Sequence, residues 1–78
     1  MQDFRTADIQ ISAVLLHKNF RFLGLDRSDS RRVVFVFEES EELQQTLQQY
    51  WQDKLLCSAQ SLLADFKKAK HILHDYQQ

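Results

Sequence analysis

The sequence contains no proline and only one glycine, Gly24, in 78 residues. Its turns must therefore rest on the short polar side chains of Ser, Asp and Asn, which hydrogen-bond locally to the backbone. Because Gly24 lies within an apolar run, it predicts a bulge or a close backbone approach in a strand. A lone glycine also excludes a glycine-rich phosphate loop, and with it the nucleotide sites that depend on one.

Cysteine occurs once, as Cys57, so the chain cannot form an intramolecular disulfide. A lone cysteine is typical of a reducing compartment, and we expect the protein to be cytoplasmic. The apolar neighbour Leu56 favours a buried packing role for the thiol. A catalytic thiolate would need a positioned base, and the sequence places none beside it.

Long hydrophobic runs are also absent, since the longest is the five-residue stretch Val33–Phe37. Five residues are far too few to cross a bilayer, and the start of the chain lacks the pattern of a secretory leader. We therefore expect no membrane partner. All five residues are β-branched or aromatic, which predicts a mostly buried strand that organises the fold.

The charge balance is close to neutral, with a formal net charge of −1. A dedicated nucleic-acid binder is expected to carry a basic stripe and a high isoelectric point, so this balance argues against one. Two local basic patches keep an accessory nucleic-acid-binding function open as the alternative. They are Arg27, Arg31 and Arg32 at a predicted hairpin tip, and a ridge that includes Lys67 and Lys70 on the last predicted helix. Acidic residues are interleaved with both patches, which favours ordinary solvation.

The apolar periodicity predicts the element order α-β-β-α-(β)-α. The first helix is expected to begin at Thr6 and to end at Asn19. Ser40 and Ser58 are the expected N-caps of the second and third helices, because their hydroxyls can accept from the first turn. The bracketed third strand is the short apolar stretch at residues 54–57.

In the predicted hairpin, Asp26 faces Arg31 across the turn, so that Phe35 and Phe37 share the face that helices cover. The opposite face then carries four apolar side chains: Leu23, Leu25, Val34 and Val36. Either helices sandwich the sheet and cover this face too, or the face is exposed and forms a partner surface.

Each residue whose side chain is suited to chemistry also has a structural interpretation. His71 and His74 are three apart on the last helix, but a zinc site needs further ligands, and both fall opposite the apolar stripe. Tyr50 and Trp51 continue the stripe begun by Leu43, which favours core packing over a stacking platform. No Ser/His/Asp set has an interpretable spacing. We therefore predict no catalytic residue, no metal, no cofactor and no small-molecule substrate.

Several core and capping positions resemble a known family. They are Phe4-x-Thr6-x-Asp8, the apolar helix from Leu16 to Phe20, Val33-x-Phe35-Val36-Phe37-Glu38, Leu43 with Tyr50-Trp51, and Leu55. In this order they resemble a family of small uncharacterised bacterial and phage proteins, catalogued as a domain of unknown function. The resemblance implies the fold and a bacterial cytoplasmic setting, and gives no catalytic residues to carry over. The chain departs from the family near Gln52-Asp53, where a glycine is expected.

The prediction is a single α+β domain over residues 1–78, with two layers, in which an antiparallel hairpin is packed by three helices. Surplus apolar surface on a small chain without a chemical constellation predicts a non-catalytic protein-interaction module rather than an enzyme. Its partner is another protein or a second copy bound through the sheet.

Overall fold

A computed structural model describes residues 2–28 and 31–75 of the chain. Within them the elements are β1 (Asp3–Thr6), α1 (Ile9–His17), β2 (Phe22–Asp26), β3 (Val34–Glu38), α2 (Glu41–Trp51) and α3 (Ala59–Asp75). Three helices and an antiparallel sheet confirm the predicted α+β class. Asp29 and Ser30, two residues of the predicted hairpin turn, lie outside the described residues, and so does Tyr76 near the end of the last predicted helix.

The sheet has the order β1-β3-β2, with β3 in the centre and both neighbours antiparallel to it. The first strand pairs from Asp3 opposite Glu38 to Thr6 opposite Phe35. The prediction that residues 54–57 form the third strand is therefore wrong. That stretch is a loop, and the third strand of the sheet is the N-terminal β1. Phe4 explains the pairing physically, since it packs against the core from this edge.

A bulge lies in β2 between Phe22 and Gly24, as the glycine predicts. Phe22 pairs with Phe37, but the next pair is Gly24 with Val36, so Leu23 is the extra residue. Gly24 has φ +137°, a conformation that side chains other than glycine rarely adopt.

The bulge exchanges the two faces for the residues of β2 that follow it, because one extra residue shifts the alternation of side chains by one position. Leu25 pairs with Phe35 and packs against the core. The predicted position of Leu25 on the opposite face is therefore wrong. The predicted pairing of Asp26 with Arg31 is also wrong, because Asp26 pairs with Val34 and leaves a longer connection.

The core lies between one face of the sheet and the three helices. Phe35 and Phe37 of β3 are almost completely buried, as predicted, and the ring of Phe22 lies 6.0 and 5.4 Å from theirs. Leu15 of α1 and Ala69 of α3 are buried in the same cluster, together with Leu43 and Leu47 of α2. Because all three helices contribute to this one cluster, the loss of any one helix would expose the phenylalanines of β3.

Side-chain caps begin the helices. Asp8 caps α1, accepting from the backbone N–H groups of Gln10 and Ile11 at 2.8 and 3.2 Å. The expected start at Thr6 is therefore wrong, because Thr6 ends β1 and its hydroxyl accepts from the Asp8 N–H. Ser40 and Ser58 cap the other two helices as predicted.

Two helices end on non-glycine residues in the left-handed region, Asn19 (φ 63°) and Asp53 (φ 60°). Beyond α2, the N–H of Asp53 donates to the carbonyl of Tyr50 and that of Lys54 to the carbonyl of Gln49. This 5→2 and 6→1 pattern is a Schellman motif, in which glycine is the usual left-handed residue. Asp53 thus adopts the conformation for which a glycine is expected.

Candidate functional site

The face of the sheet that the helices leave uncovered carries charged side chains. Arg5 lies opposite Val36 in β1, and its guanidinium donates to the carboxylate of Asp26 in β2. The ion pair thus joins the two edge strands across the central strand. Val36 is only 8% exposed although it lies outside the helix-covered core cluster.

Other ionic contacts extend this polar covering. A guanidinium nitrogen of Arg21 lies 3.5 Å from a carboxylate oxygen of Glu38, and one of Arg5 lies 4.0 Å from a carboxylate oxygen of Asp3. The pKa of Asp26 is lowered, chiefly because Ser28 hydrogen-bonds to its carboxylate, with a further contribution from Arg5. The ionised carboxylate is therefore the form that the fold favours.

The four residues of the predicted partner surface do not share one exposed face. Leu25 packs against the core, Val36 is buried and Val34 is half-buried. Leu23, the residue of the bulge, is 46% exposed. Among the described residues, the Arg5–Asp26 ion pair thus covers Val36. The sequence had suggested either a covering helix or an exposed partner surface instead.

The helical side of the domain contains an apolar groove of about 320 Å³. The groove is lined by residues of α1, α2 and α3: Gln10, Ala13, Val14, Tyr50, Leu62, Leu63 and Phe66. None of these seven side chains is charged. We call this feature the helical groove.

Three large apolar side chains are exposed on α2, on α3 and in the loop that joins them. Trp51 at the end of α2 is 62% exposed, Leu56 in the following loop 86% and Leu63 in α3 65%. Cys57 is exposed as well. The predictions that Trp51 and Cys57 pack inside are therefore wrong.

The helical periodicity explains the position of Trp51. At about 100° per residue, Leu47 and Tyr50 lie within roughly 40° of Leu43 around the axis, whereas Trp51 lies roughly 80° away. Leu43 and Leu47 are fully buried, Tyr50 is half-buried and Trp51 is exposed. The stripe thus leaves the core gradually across its last turn.

The chain matches the sequence profile described as "Domain of unknown function (DUF5659)" over residues 1–76. It belongs to this family. No curated protein and no solved structure matched the chain. The match confirms the expectation that the chain belongs to a family catalogued as a domain of unknown function, and it covers both the ionic face and the helical groove of this DUF5659 domain.

The basic residues of the DUF5659 domain occupy two places. Arg27, Arg31 and Arg32 are exposed in the connection from β2 to β3, and Lys67 and Lys70 are exposed on α3. The ammonium of Lys70 lies 4.7 Å from the centre of the Phe66 ring, at the border of the helical groove.

His71 and His74 are exposed on α3. Within residues 2–28 and 31–75, no three or more His, Cys, Asp or Glu side chains are grouped closely enough to hold a metal ion. Over the same ranges, no helix combines the length and apolarity that crossing a membrane requires.

A polar contact between His17 and Asp65 was also not predicted from the sequence. The Nδ1 atom of His17 lies 3.1 Å from the carboxylate of Asp65, and both side chains are largely buried. The contact joins the last turn of α1 to α3. Since 48 positions separate the two residues, no local pattern pairs them.

Proposed function

We propose that this DUF5659 domain is a non-catalytic protein-interaction module that binds its partner through the helical groove. The observation that carries the proposal is the apolar groove, whose lining includes the exposed side chain of Leu63 and ends on α2 at Tyr50, next to the exposed Trp51. Scattered exposed leucines are ordinary on a monomer, but large apolar side chains beside an apolar depression are typical of a binding surface.

The energetics favour the helical side over the uncovered face of the sheet. Covering apolar surface contributes roughly 25 cal/mol per Å², so burying one exposed leucine contributes about 1.5–3 kcal/mol. A partner on the sheet would instead have to remove the Arg5–Asp26 pair from water. Desolvation of a charged pair can exceed the attraction that it retains.

Site-specific photo-crosslinking tests the proposal whatever the identity of the partner. A photoreactive phenylalanine analogue replaces Leu63 in the helical groove or, in a matched control, Leu23 on the β2 bulge. Both positions are exposed leucines, so neither substitution removes a core side chain. In the cells that produce the protein, we expect discrete adducts from position 63 and none from position 23. Adducts from position 23 alone would move the docking surface to the sheet, and no adduct from position 63 would refute the proposal.

The alternative function is accessory nucleic-acid binding through the two basic patches. It is supported by the exposure of all five side chains: Arg27, Arg31, Arg32, Lys67 and Lys70. Phosphate contacts of this kind give an affinity that falls steeply as salt rises. Titration of labelled single-stranded and duplex oligonucleotides at low and moderate salt tests it. Binding that weakens with salt and with Arg31→Ala supports this function, and no binding at low salt refutes it.

We also infer a bacterial or phage source and a cytoplasmic setting. The resemblance of the core and capping positions supports the source. The single cysteine supports a reducing compartment. Fractionation of the producing cells, with detection of the untagged chain, tests the setting; a secreted or membrane-bound pool would contradict it.

A further inference from the structure

Two lysines of α3 lie at the rim of the helical groove. The ammonium of Lys70 is 4.7 Å from the centre of the Phe66 ring, which belongs to the groove lining. Leu63 belongs to the same lining. At about 100° per residue, Lys67 and Lys70 lie within roughly 40° of Leu63 around the helix axis. Both lysines are exposed, so they place positive charge in water beside a lining whose described side chains are uncharged.

No acidic residue offsets these lysines on the same side of α3. Apart from its last residue, α3 has one acid, Asp65, which lies roughly 160° from Leu63 around the axis. The carboxylate of Asp65 is instead 3.1 Å from the Nδ1 atom of His17. Within the described part of the chain, no ion pair joins a carboxylate to either lysine. The rim that α3 forms is therefore positive, although the net charge of the whole chain is −1.

An uncharged lining with a positive rim indicates what kind of partner fits. The volume of about 320 Å³ is near the lower end of the range for binding pockets, about 300–1,000 Å³, and suits a few anchoring side chains of a peptide segment. An amphipathic helix that lays its apolar face into a groove is a common recognition mode, and complementary charges at the rim set its specificity. A second copy of this chain fits less well, because a two-fold dimer brings the same positive rim to both sides.

We propose that the helical groove binds an acidic amphipathic segment of another protein, whose apolar side chains enter the groove while its carboxylates contact Lys67 and Lys70. The inference rests on the proposed function, to which it adds the chemistry of the partner. The chain supplies a matched control in Lys68, which is also exposed but lies roughly 140° from Leu63 around the axis of α3.

Fluorescence anisotropy with two labelled amphipathic peptides tests the inference. Both peptides carry leucines on one helical face; one has glutamates beside the leucines, and the other has lysines at the same positions. We expect the purified chain to bind the glutamate peptide roughly tenfold tighter or more, with an affinity that falls as salt rises. Lys67→Glu/Lys70→Glu should invert this preference. Lys68→Glu should retain it, with an affinity changed by less than about twofold, because salt screens exposed charges that face away from the peptide.

The neutral variant Leu63→Gln separates the apolar anchor from the charges. It should weaken binding of the glutamate peptide about tenfold, and circular dichroism should show an unchanged fold because the side chain is exposed. Equal affinity for the two peptides, no binding of either at low salt, or equal losses in Lys68→Glu and the double variant would overturn the inference. A labelled oligonucleotide is the third probe. If it binds through Lys67 and Lys70 while the glutamate peptide does not bind, the rim serves phosphates and the inference is overturned.

Crosslinking from position 63 keeps this inference and the proposed function apart. In the producing cells, the adducts should disappear in Lys67→Glu/Lys70→Glu and persist in Lys68→Glu. If they persist in the double variant, the helical groove binds a partner without these ionic contacts, and only the inference is refuted. If position 63 gives no adduct in the otherwise wild-type chain, the proposed function itself fails.

Discussion

The end of α2 allows a prediction with a sign opposite to that of most substitutions. Asp53 has φ 60° in the Schellman motif, where an L-residue is strained by roughly 1 kcal/mol or somewhat more. Its negative charge also lies at the carboxyl end of a helix, which costs about 0.3–1 kcal/mol. Glycine removes both effects. Against them stands the greater backbone freedom that glycine loses on folding, about 0.4–1 kcal/mol.

Asp53→Gly should therefore raise the free energy of unfolding by about 0.5–1 kcal/mol, which corresponds to roughly 4 °C in the melting temperature of a domain this small. Urea denaturation followed by circular dichroism, at a concentration where the chain is monomeric, measures it. Two controls separate the causes. Asp53→Asn should recover only the part due to charge, and Gln52→Gly should destabilise, because Gln52 has φ −86° and gains nothing from glycine.

The reasoning would be refuted if Asp53→Gly were neutral or destabilising while Gln52→Gly had the same effect. That outcome would mean that the left-handed conformation of Asp53 carries no strain, or that its carboxylate makes a stabilising contact in solution.

Further predictions concern the β2 bulge, Asp26 and the helical groove. Leu25→Ala should cost about 2 kcal/mol in urea denaturation, since Leu25 packs on the core, whereas Leu23→Ala should cost well under 1 kcal/mol; equal losses would contradict the bulged register. The pKa of Asp26 is lowered from its ordinary value of 3.8, so its contribution to stability is present above that pH and is lost as the pH falls through the folded-state pKa. The stability difference between the wild type and Asp26→Asn should thus be constant from pH 5 to 7 and shrink in acid; a difference independent of pH down to the acid transition would contradict this. Leu63→Glu should leave the free energy of unfolding of the monomer within about 0.5 kcal/mol of the wild type, because the side chain is exposed; a larger loss would mean that Leu63 is part of the core.

Local patterns in the sequence were sufficient for several elements. The run of β-branched and aromatic residues predicted β3, and Ser40 and Ser58 were correct caps because capping depends on neighbouring residues alone. Asn19 likewise marked the end of α1 through its own tolerance of positive φ. These features are encoded within a few residues.

The predictions were wrong where contacts between residues far apart in the sequence determine the structure. β1 is four residues long and is held by pairing with a strand about thirty positions away, so its short alternation could not identify it. Gly24 predicted a bulge, but not that Leu23 would be the extra residue, and the face of Leu25 depends on that choice. The ion pair of Arg5 with Asp26 depends on the same tertiary arrangement, so its role in covering Val36 was not predictable.

The location of the docking surface is the central claim, and crosslinking from position 63 compared with position 23 tests it most directly. We expect adducts when the photoreactive analogue replaces Leu63 in the helical groove, and none when it replaces Leu23 on the bulge of β2. Adducts from Leu23 with none from Leu63 would contradict the claim.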